Sequence, residues 1–174
     1  PIQILWVNLV TDGLPGLALT IEPAEKNTMQ RPPYPPKENI FGRGMARDIL
    51  WIGLLMGLVS LFAGFWYWQK GGESWHTIVF TTITLSQMGN ALATRSDRNS
   101  LFTIGLWSNK PMVFSVLVTF VLQLALIYVP FLQNIFNTVP LNASELIISL
   151  GLSSIVFFCV ELFKWSLRRR EETA

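Results

Sequence analysis

The fold is decided by one stretch near the N-terminus, Trp6-Val7-Asn8-Leu9-Val10-Thr11-Asp12-Gly13-Leu14-Pro15. It lies within an apolar run from Ile2 to Leu19. At about 1.5 Å per residue, a helix over this run is roughly 27 Å long, which is enough to cross most of a bilayer. The run therefore predicts a transmembrane helix, but one with three polar residues in its middle.

Those polar residues, Asn8, Thr11 and Asp12, are spaced three and four apart, which in an α-helix places them on one face. A carboxylate near the bilayer centre costs about 2.5–3.5 kcal/mol, while each Leu, Ile or Val offsets about 0.3–0.6 kcal/mol. The nine Leu, Ile and Val residues from Ile2 to Leu19 offset the insertion cost of Asp12. Little favourable free energy then remains to offset the cost of Asn8 and Thr11. Because hard cations such as calcium prefer partly anionic oxygen ligands, the three side chains are candidate metal ligands.

Gly13 and Pro15 predict that this helix unwinds near the middle of the membrane. Pro15 has no N–H, so the carbonyl of Thr11 loses its helical donor, and Gly13 allows the backbone to leave helical geometry. Irregular backbone at this depth is tolerated where it lines a cavity or is buried in protein. The alternative is a proline-kinked helix whose polar groups are satisfied by a neighbouring helix.

The composition predicts an all-α, polytopic membrane protein. Of the 174 residues, 51% are hydrophobic and 14% are charged, against about 25% charged in soluble domains. We predict one domain, 1–174, containing a bundle of five transmembrane helices at about 2–19, 48–68, 76–93, 111–131 and 146–167. The prolines of the loop 20–47 forbid a continuous helix there. Gly53 and Gly57 indicate close helix packing in the second span.

The third span, 76–93, is unusually polar for a membrane helix. Thr84 and Gln87 share a face, as do Gln87 and Asn90, so one polar stripe is expected to face the interior. Gln87 is therefore a candidate ligand next to Asp12. The alternative is that it forms an ordinary hydrogen bond between helices.

In the fifth span, Glu161 lies one turn before Lys164. This spacing allows an ion pair within the helix. We therefore predict an intrahelical or interfacial pair with Lys164 or Trp165 here and not an ion site.

The distribution of Lys and Arg predicts the orientation. Loop 20–47 has five, loop 94–110 has three and the tail from Lys164 has four, whereas the opposite side has only Lys70. By the positive-inside rule, both loops and the C-terminus are cytoplasmic and the N-terminus is outside.

The stretch from Ile4 to Pro15 closely resembles the sixth transmembrane helix of the calcium-transporting P-type ATPases. The resemblance continues over nearly the whole chain, in Arg31-Pro32-Pro33, Pro36-Lys37-Glu38, Gln87-Met88-Gly89-Asn90-Ala91-Leu92 and Ser108-Asn109-Lys110-Pro111. It implies the last five of ten membrane helices. The phosphorylated aspartate, the nucleotide site and the first five helices would then lie upstream, with ATP and magnesium bound there.

This resemblance implies the membrane half of an ATP-driven pump that moves calcium out of the cytoplasm. Asn8 and Asp12 would be direct ligands and Thr11 a further one, while the fragment holds no catalytic residue and would be inactive alone. The implied partners are membrane lipid and the upstream half of the same pump, whose phosphorylation domain would lie near loop 20–47. No nucleic acid is expected as a partner.

The sequence departs from the reticulum-type calcium pumps at Gln87, where those pumps have a glutamate ligand. Plasma-membrane-type calcium pumps carry glutamine there. Losing one carboxylate weakens a second divalent site, which predicts one calcium ion per cycle. A sodium or manganese pump of the same family, a polar-cored channel or secondary transporter, and a scaffold without an ion site remain alternatives.

Overall fold

The computed structural model describes residues 1–23, 44–96 and 99–172, and these residues form helices and no strand. The predicted all-α class is therefore confirmed. In chain order the elements are α1 (Ile2–Trp6), a π-helix (Val7–Asp12, here the π segment), α2 (Gly13–Leu19), α3 (Met45–Gln69), α4 (Trp75–Ala93), α5 (Leu101–Ile104), a 3₁₀ turn (Leu106–Ser108), α6 (Lys110–Tyr128), α7 (Pro130–Phe136) and α8 (Ala143–Glu172). Most of loop 20–47 and two residues of loop 94–110 lie outside the described residues.

Four helical stretches in the described part of the chain are long and apolar enough to cross a membrane: Ile2–Leu19, Met45–Gln69, Lys110–Tyr128 and Ala143–Arg169. Their outer surfaces expose large apolar side chains, among them Leu54, Phe114 and Leu162. Apolar surface of this extent requires a lipid or protein environment. The chain is thus part of an integral, multi-pass membrane protein.

Helix α4, which covers the predicted third span, occupies the centre of the bundle and contacts α3, α6, α8 and the π segment. It has 19 residues but is not among the four apolar stretches, because hydroxyl and amide side chains lower its hydropathy. Its Thr77, Thr81 and Thr82 are completely buried. A helix enclosed by others does not need an apolar surface toward lipid, which explains its composition.

Helix α4 packs closely against α3 at Gly64. A Cβ added at Gly64 would lie 2.2 Å from Cγ2 of Val79, whereas one added at Gly53 or Gly57 would meet nothing within 4 Å. The close packing predicted at Gly53 and Gly57 is therefore not found in this chain. The backbone contact depends on the glycine nearer the end of α3.

We expect Gly64→Ala to lower the stability of the protein by about 1–3 kcal/mol, as overpacking of a well-filled core does. The branched side chain of Val79 has little rotamer freedom in a helix, so the backbones must move apart. The measurement is the temperature at which detergent-solubilised protein loses its monodisperse peak. Val79→Ala in the same molecule should restore most of the loss, and Gly57→Ala should leave the temperature unchanged. If Gly64→Ala lowered this temperature no more than Gly57→Ala, the close contact between Gly64 and Val79 would be contradicted.

The predicted fourth span, 111–131, does not form one helix, because α6 ends at Tyr128. Val129 is extended (φ −89°, ψ 116°) before Pro130, which starts α7, and the residue before a proline avoids helical geometry. Side chains replace the missing donors: Thr138 Oγ1 donates to the Leu126 carbonyl at 2.6 Å, and Gln133 Nε2 to that of Ile127 at 2.5 Å. The break is therefore a capped corner.

The predicted pair of Glu161 and Lys164 is confirmed, with 3.2 Å between Lys164 Nζ and Glu161 Oε1. Both residues are buried. Glu161 Oε2 also accepts from Ser100 Oγ at 2.5 Å, and Lys164 donates to the carbonyls of Ala93 and Asn99. The pair thus joins α8 to the connection that follows α4.

Candidate cation site

The three polar residues of the first span lie in the π segment, which joins α1 to α2 without interrupting the helix. The predicted unwinding near Gly13 and Pro15 is wrong. Gly13 has ordinary helical angles (φ −66°, ψ −50°), so its conformational freedom is not used. Because α2 begins at Gly13, Pro15 lies in its first turn, where the missing N–H breaks no bond within α2. The irregularity is a widened turn on the N-terminal side of Gly13.

A π-helix bonds each N–H to the fifth carbonyl before it and has more residues per turn than an α-helix, so side chains three apart no longer share a face, whereas side chains four apart still do. The structure reflects this change. Thr11 is buried, with 1% of its surface exposed, whereas Asn8 and Asp12 are exposed on the outer side. The prediction that all three side chains share one face is therefore wrong for this chain.

Asp12 lies in an open, mostly apolar groove of about 600 Å³ along the outer side of this helix. Leu9 and Leu17, which also line the groove, are 68% and 69% exposed. A carboxylate on an apolar surface at this depth is unfavourable unless it meets a cation or polar groups. Among the described residues, no three His, Cys, Asp or Glu side chains are close enough to hold a metal ion.

Helix α4, which contacts the π segment, carries the fourth predicted site residue. Gln87 Oε1 is buried without a hydrogen-bond partner, and the same holds for Thr11 Oγ1 on the π segment. Asn90 Oδ1 and Thr84 Oγ1 on α4 are also buried and unpartnered. Buried polar atoms in native proteins are nearly always satisfied by protein groups, water or an ion, so these oxygens can each accept a further partner.

Asn90 and Thr84 were not among the predicted site residues. Their spacing of three from Gln87 was visible in the sequence, and it indicated the polar stripe on α4. The sequence could not indicate which members of the stripe lack a partner, because that depends on what each one meets in the packed bundle.

The N-terminal anchor comprises Gln3, Trp6, Gln123 and Phe136, and it fixes the start of the first span. Trp6 Nε1 donates to Gln123 Oε1 at 3.3 Å, and Gln123 Nε2 donates to Thr81 Oγ1 at 3.4 Å. The Trp6 ring packs edge-on against Phe136 with 5.4 Å between centroids. Gln3 Nε2 donates to the Phe136 carbonyl at 2.7 Å. Trp6, the residue directly before the π segment, is thus attached to α6 and α7, and through Gln123 it is linked to α4.

The C-terminal anchor comprises Glu22, Arg95 and Asn109, and it fixes the chain beyond α2. Arg95 donates to both carboxylate oxygens of Glu22, from Nε at 2.9 Å and from Nη2 at 2.6 Å. Asn109 Nδ2 donates to Glu22 Oε2 at 2.7 Å and to the Ala18 carbonyl at 3.0 Å. The Arg95 side chain is completely buried, and it also bonds Ser108 and the carbonyls of Gly105 and Leu106.

This environment also sets the charge state of Glu22. Burial alone would raise its pKa, but the hydrogen bonds from Arg95 and Asn109, with the positive charge of Arg95, hold the pKa below its ordinary value. Glu22 is therefore ionised near neutral pH. A bidentate pair of Arg and carboxylate fixes orientation as well as distance.

Comparison with known proteins places residues 1–166 in the family described as "Cation transporting ATPase, C-terminus". The chain is 37% identical to a "Calcium-transporting ATPase" of Bacillus subtilis (strain 168) over 161 residues, covering 91% of the chain and 18% of that protein. It is 34% identical to "Calcium-transporting ATPase type 2C member 1" of Homo sapiens, covering 98% of the chain and 19% of that protein. The "Endoplasmic reticulum calcium ATPase srcA" of Aspergillus fumigatus is 30% identical, with 97% of the chain and 21% of that protein covered. The chain thus spans about a fifth of the length of these relatives.

Proposed function

The chain belongs to the cation-transporting ATPase family, and from this we propose that it forms the C-terminal membrane part of an ATP-driven pump that moves calcium out of the cytoplasm. The observation that carries the proposal is the combination of an intramembrane carboxylate, Asp12, with unpartnered buried oxygens on the adjoining segments, Thr11 and Gln87. The names of the relatives given above support calcium as the ion.

In this proposal Asp12, Asn8, Thr11 and Gln87 each provide a side-chain oxygen to the ion. Calcium takes about six to eight oxygen ligands, including carboxylates, amide carbonyls and backbone carbonyls. Four side chains fill only part of that shell, so other parts of the protein provide the remaining ligands. The exposure of Asn8 and Asp12 on an uncovered helix face supports a site completed from outside this chain.

We propose one calcium ion per cycle, because Gln87 is neutral. Asp12 is the one carboxylate among the four proposed ligands. A single negative charge balances one divalent ion better than two. The unpartnered amide oxygen of Gln87 is suited to coordinate that ion without adding charge.

ATP hydrolysis belongs to the rest of the protein in this proposal. The relatives are about five times as long as the matched region, and ATP and magnesium would be bound by their further domains. The outer face of the first span would pack against the upstream half of the pump, with lipid around the other helices. The chain alone would hydrolyse nothing.

The proposed orientation has the N-terminus outside and the C-terminus, loop 20–47 and loop 94–110 in the cytoplasm. The distribution of Lys and Arg supports it. Under this orientation the C-terminal anchor lies at the cytoplasmic surface, where Glu22 and Arg95 connect the first span to loop 94–110.

The arrangement also indicates how ion binding is coupled to phosphorylation. An unpaired carboxylate within the membrane is unfavourable, and a bound cation offsets that cost. Phosphorylation of a distant cytoplasmic aspartate would move the helices, separate the ligands and lower the affinity. Access and affinity would then alternate together.

The test is phosphorylation of the full-length protein by labelled ATP while free calcium is varied. We expect an acyl-phosphate that appears at micromolar free calcium, with one labelled calcium ion bound per phosphorylation site. Sodium and manganese are titrated in parallel. Phosphorylation that responds to sodium or manganese alone would overturn calcium as the ion, and two bound calcium ions would overturn the stoichiometry. If no phosphoenzyme formed with any ion, the proposal would be overturned in favour of a channel, a secondary transporter or a scaffold.

A further inference from the structure

The π segment is held between two sets of polar contacts, and we propose that these two anchors fix its helical register and so position the cation ligands. The positioning residues are Trp6 and Gln123 on one side and Glu22, Arg95 and Asn109 on the other. This inference rests on the proposed function for the identity of the ion. The anchoring itself stands on the contacts.

A π-helix is rare and usually limited to a single turn, so a run of six residues requires support. If the π segment returned to α-helix, its extra residue would have to be absorbed by the helix on one side. The part of the helix on one side would then turn by about 100° and shift by about 1.5 Å relative to the other. Such a shift is impossible while both ends are attached to neighbouring elements.

The N-terminal anchor is adjacent to the π segment, because Trp6 is the residue that precedes Val7. Gln123 is 1% exposed and connects Trp6 with Thr81, so a rotation of α1 would break a buried hydrogen bond. A buried glutamine that loses its partner costs more than the bond itself contributes. The contact therefore resists rotation of Trp6.

The C-terminal anchor attaches to the helix at two points, the Glu22 side chain and the Ala18 carbonyl. The guanidinium of Arg95 is also bonded to Ser108 and to two carbonyls, so it has no freedom to follow a moving Glu22. With α2 held in this way, the π segment cannot change its register by turning its C-terminal side.

The consequence is a fixed relation between Asn8 and Asp12. These residues lie near opposite ends of the π segment, so a return to α-helix would change the angle between their side chains. Fixing register is the best-attested use of buried polar groups that contribute little net stability. The ligands would keep their geometry only while both anchors hold.

The experiment uses the full-length protein with Trp6→Phe, Glu22→Gln and the double variant. Trp6→Phe removes the N–H donor and keeps an aromatic ring near Phe136, and Glu22→Gln removes one charge with little change of shape. Asp48→Asn and Glu145→Gln are the controls, since the polar contacts they alter involve no residue of either anchor. If Glu22→Gln does not fold, Arg95→Lys replaces it.

We expect each single variant to raise the calcium concentration for half-maximal phosphorylation by about three- to tenfold, the effect of one lost hydrogen bond, with the KM for ATP unchanged. The two sites are about 24 Å apart along the helix, and independent effects at that distance would multiply. If both anchors act through one register, the double variant needs no more calcium for half-maximal phosphorylation than the more strongly affected single variant. Multiplying effects, or equal shifts in the controls, would overturn the proposal.

Backbone hydrogen exchange of residues 7–12 in the same variants separates this inference from the proposed function. Faster exchange in Trp6→Phe and Glu22→Gln, with no change in the controls, supports the anchors even if the parent shows no calcium-dependent phosphorylation. Exchange equal to that of the parent overturns them. Faster exchange with an unchanged calcium dependence overturns the positioning of the ligands.

Discussion

Asp12→Asn is expected to abolish calcium-activated phosphorylation of the full-length protein at calcium concentrations that saturate the parent. The attraction between unit charges about 4 Å apart near a protein surface is about 4 kcal/mol, which corresponds to roughly a thousandfold in affinity. The amide that replaces the carboxylate retains one oxygen ligand. We therefore expect the calcium requirement to rise by about a hundredfold or more. The measurement is the calcium titration of the phosphoenzyme at saturating ATP.

Asp48→Asn is the matched control, because it removes the same charge with the same change of shape. Asp48 lies in the first turn of α3, where its exposed carboxylate pairs with Arg47. We expect the parental calcium requirement in this variant. An Asp12→Asn protein with that same requirement would show that Asp12 is not a ligand, whatever ion the protein transports.

Four of the five spans could be predicted from the sequence because each contains an apolar run long enough to cross a membrane. Local rules also account for the one break that was missed. Pro130 stands inside the predicted span 111–131, and its effect on Val129 follows from sterics alone. The bounds of membrane helices are thus largely a local property of the chain.

The register of the first span is not a local property. Gly13 and Pro15 indicated an irregular helix, but the structure places the irregularity over Val7–Asp12. The residues that hold it are far away in the chain: Gln123 is 117 positions from Trp6, and Arg95 is 73 positions from Glu22. No pattern within the first twenty residues contains these partners.

The candidate site shows the same division. The oxygen-bearing residues Asn8, Thr11, Asp12 and Gln87 could be named from residue type and spacing. The sequence could not predict which of them face the interior of this chain, because the π segment changes the direction of the side chains. Of these four residues, only Thr11 and Gln87 have buried oxygens without a hydrogen-bond partner.

The buried pair of Glu161 and Lys164 should produce the largest effect on stability. Both side chains are less than 10% exposed, and each makes further hydrogen bonds to the connection after α4. Removing one partner breaks this buried ion pair and the hydrogen bonds around it, at a cost of about 3–5 kcal/mol. We expect Glu161→Leu and Lys164→Met each to lower strongly the temperature at which the solubilised protein loses its monodisperse peak.

The double variant Glu161→Leu/Lys164→Met separates the two contributions to that loss. Because it buries no charge, it should be more stable than at least one of the single variants, and the two single effects should not add. Asp48→Leu, which breaks the exposed pair with Arg47, should change the temperature little, since exposed pairs contribute about 0–1 kcal/mol. If the double variant lost as much as the sum of the single variants, the cost would come from packing around α8 and not from the broken ion pair.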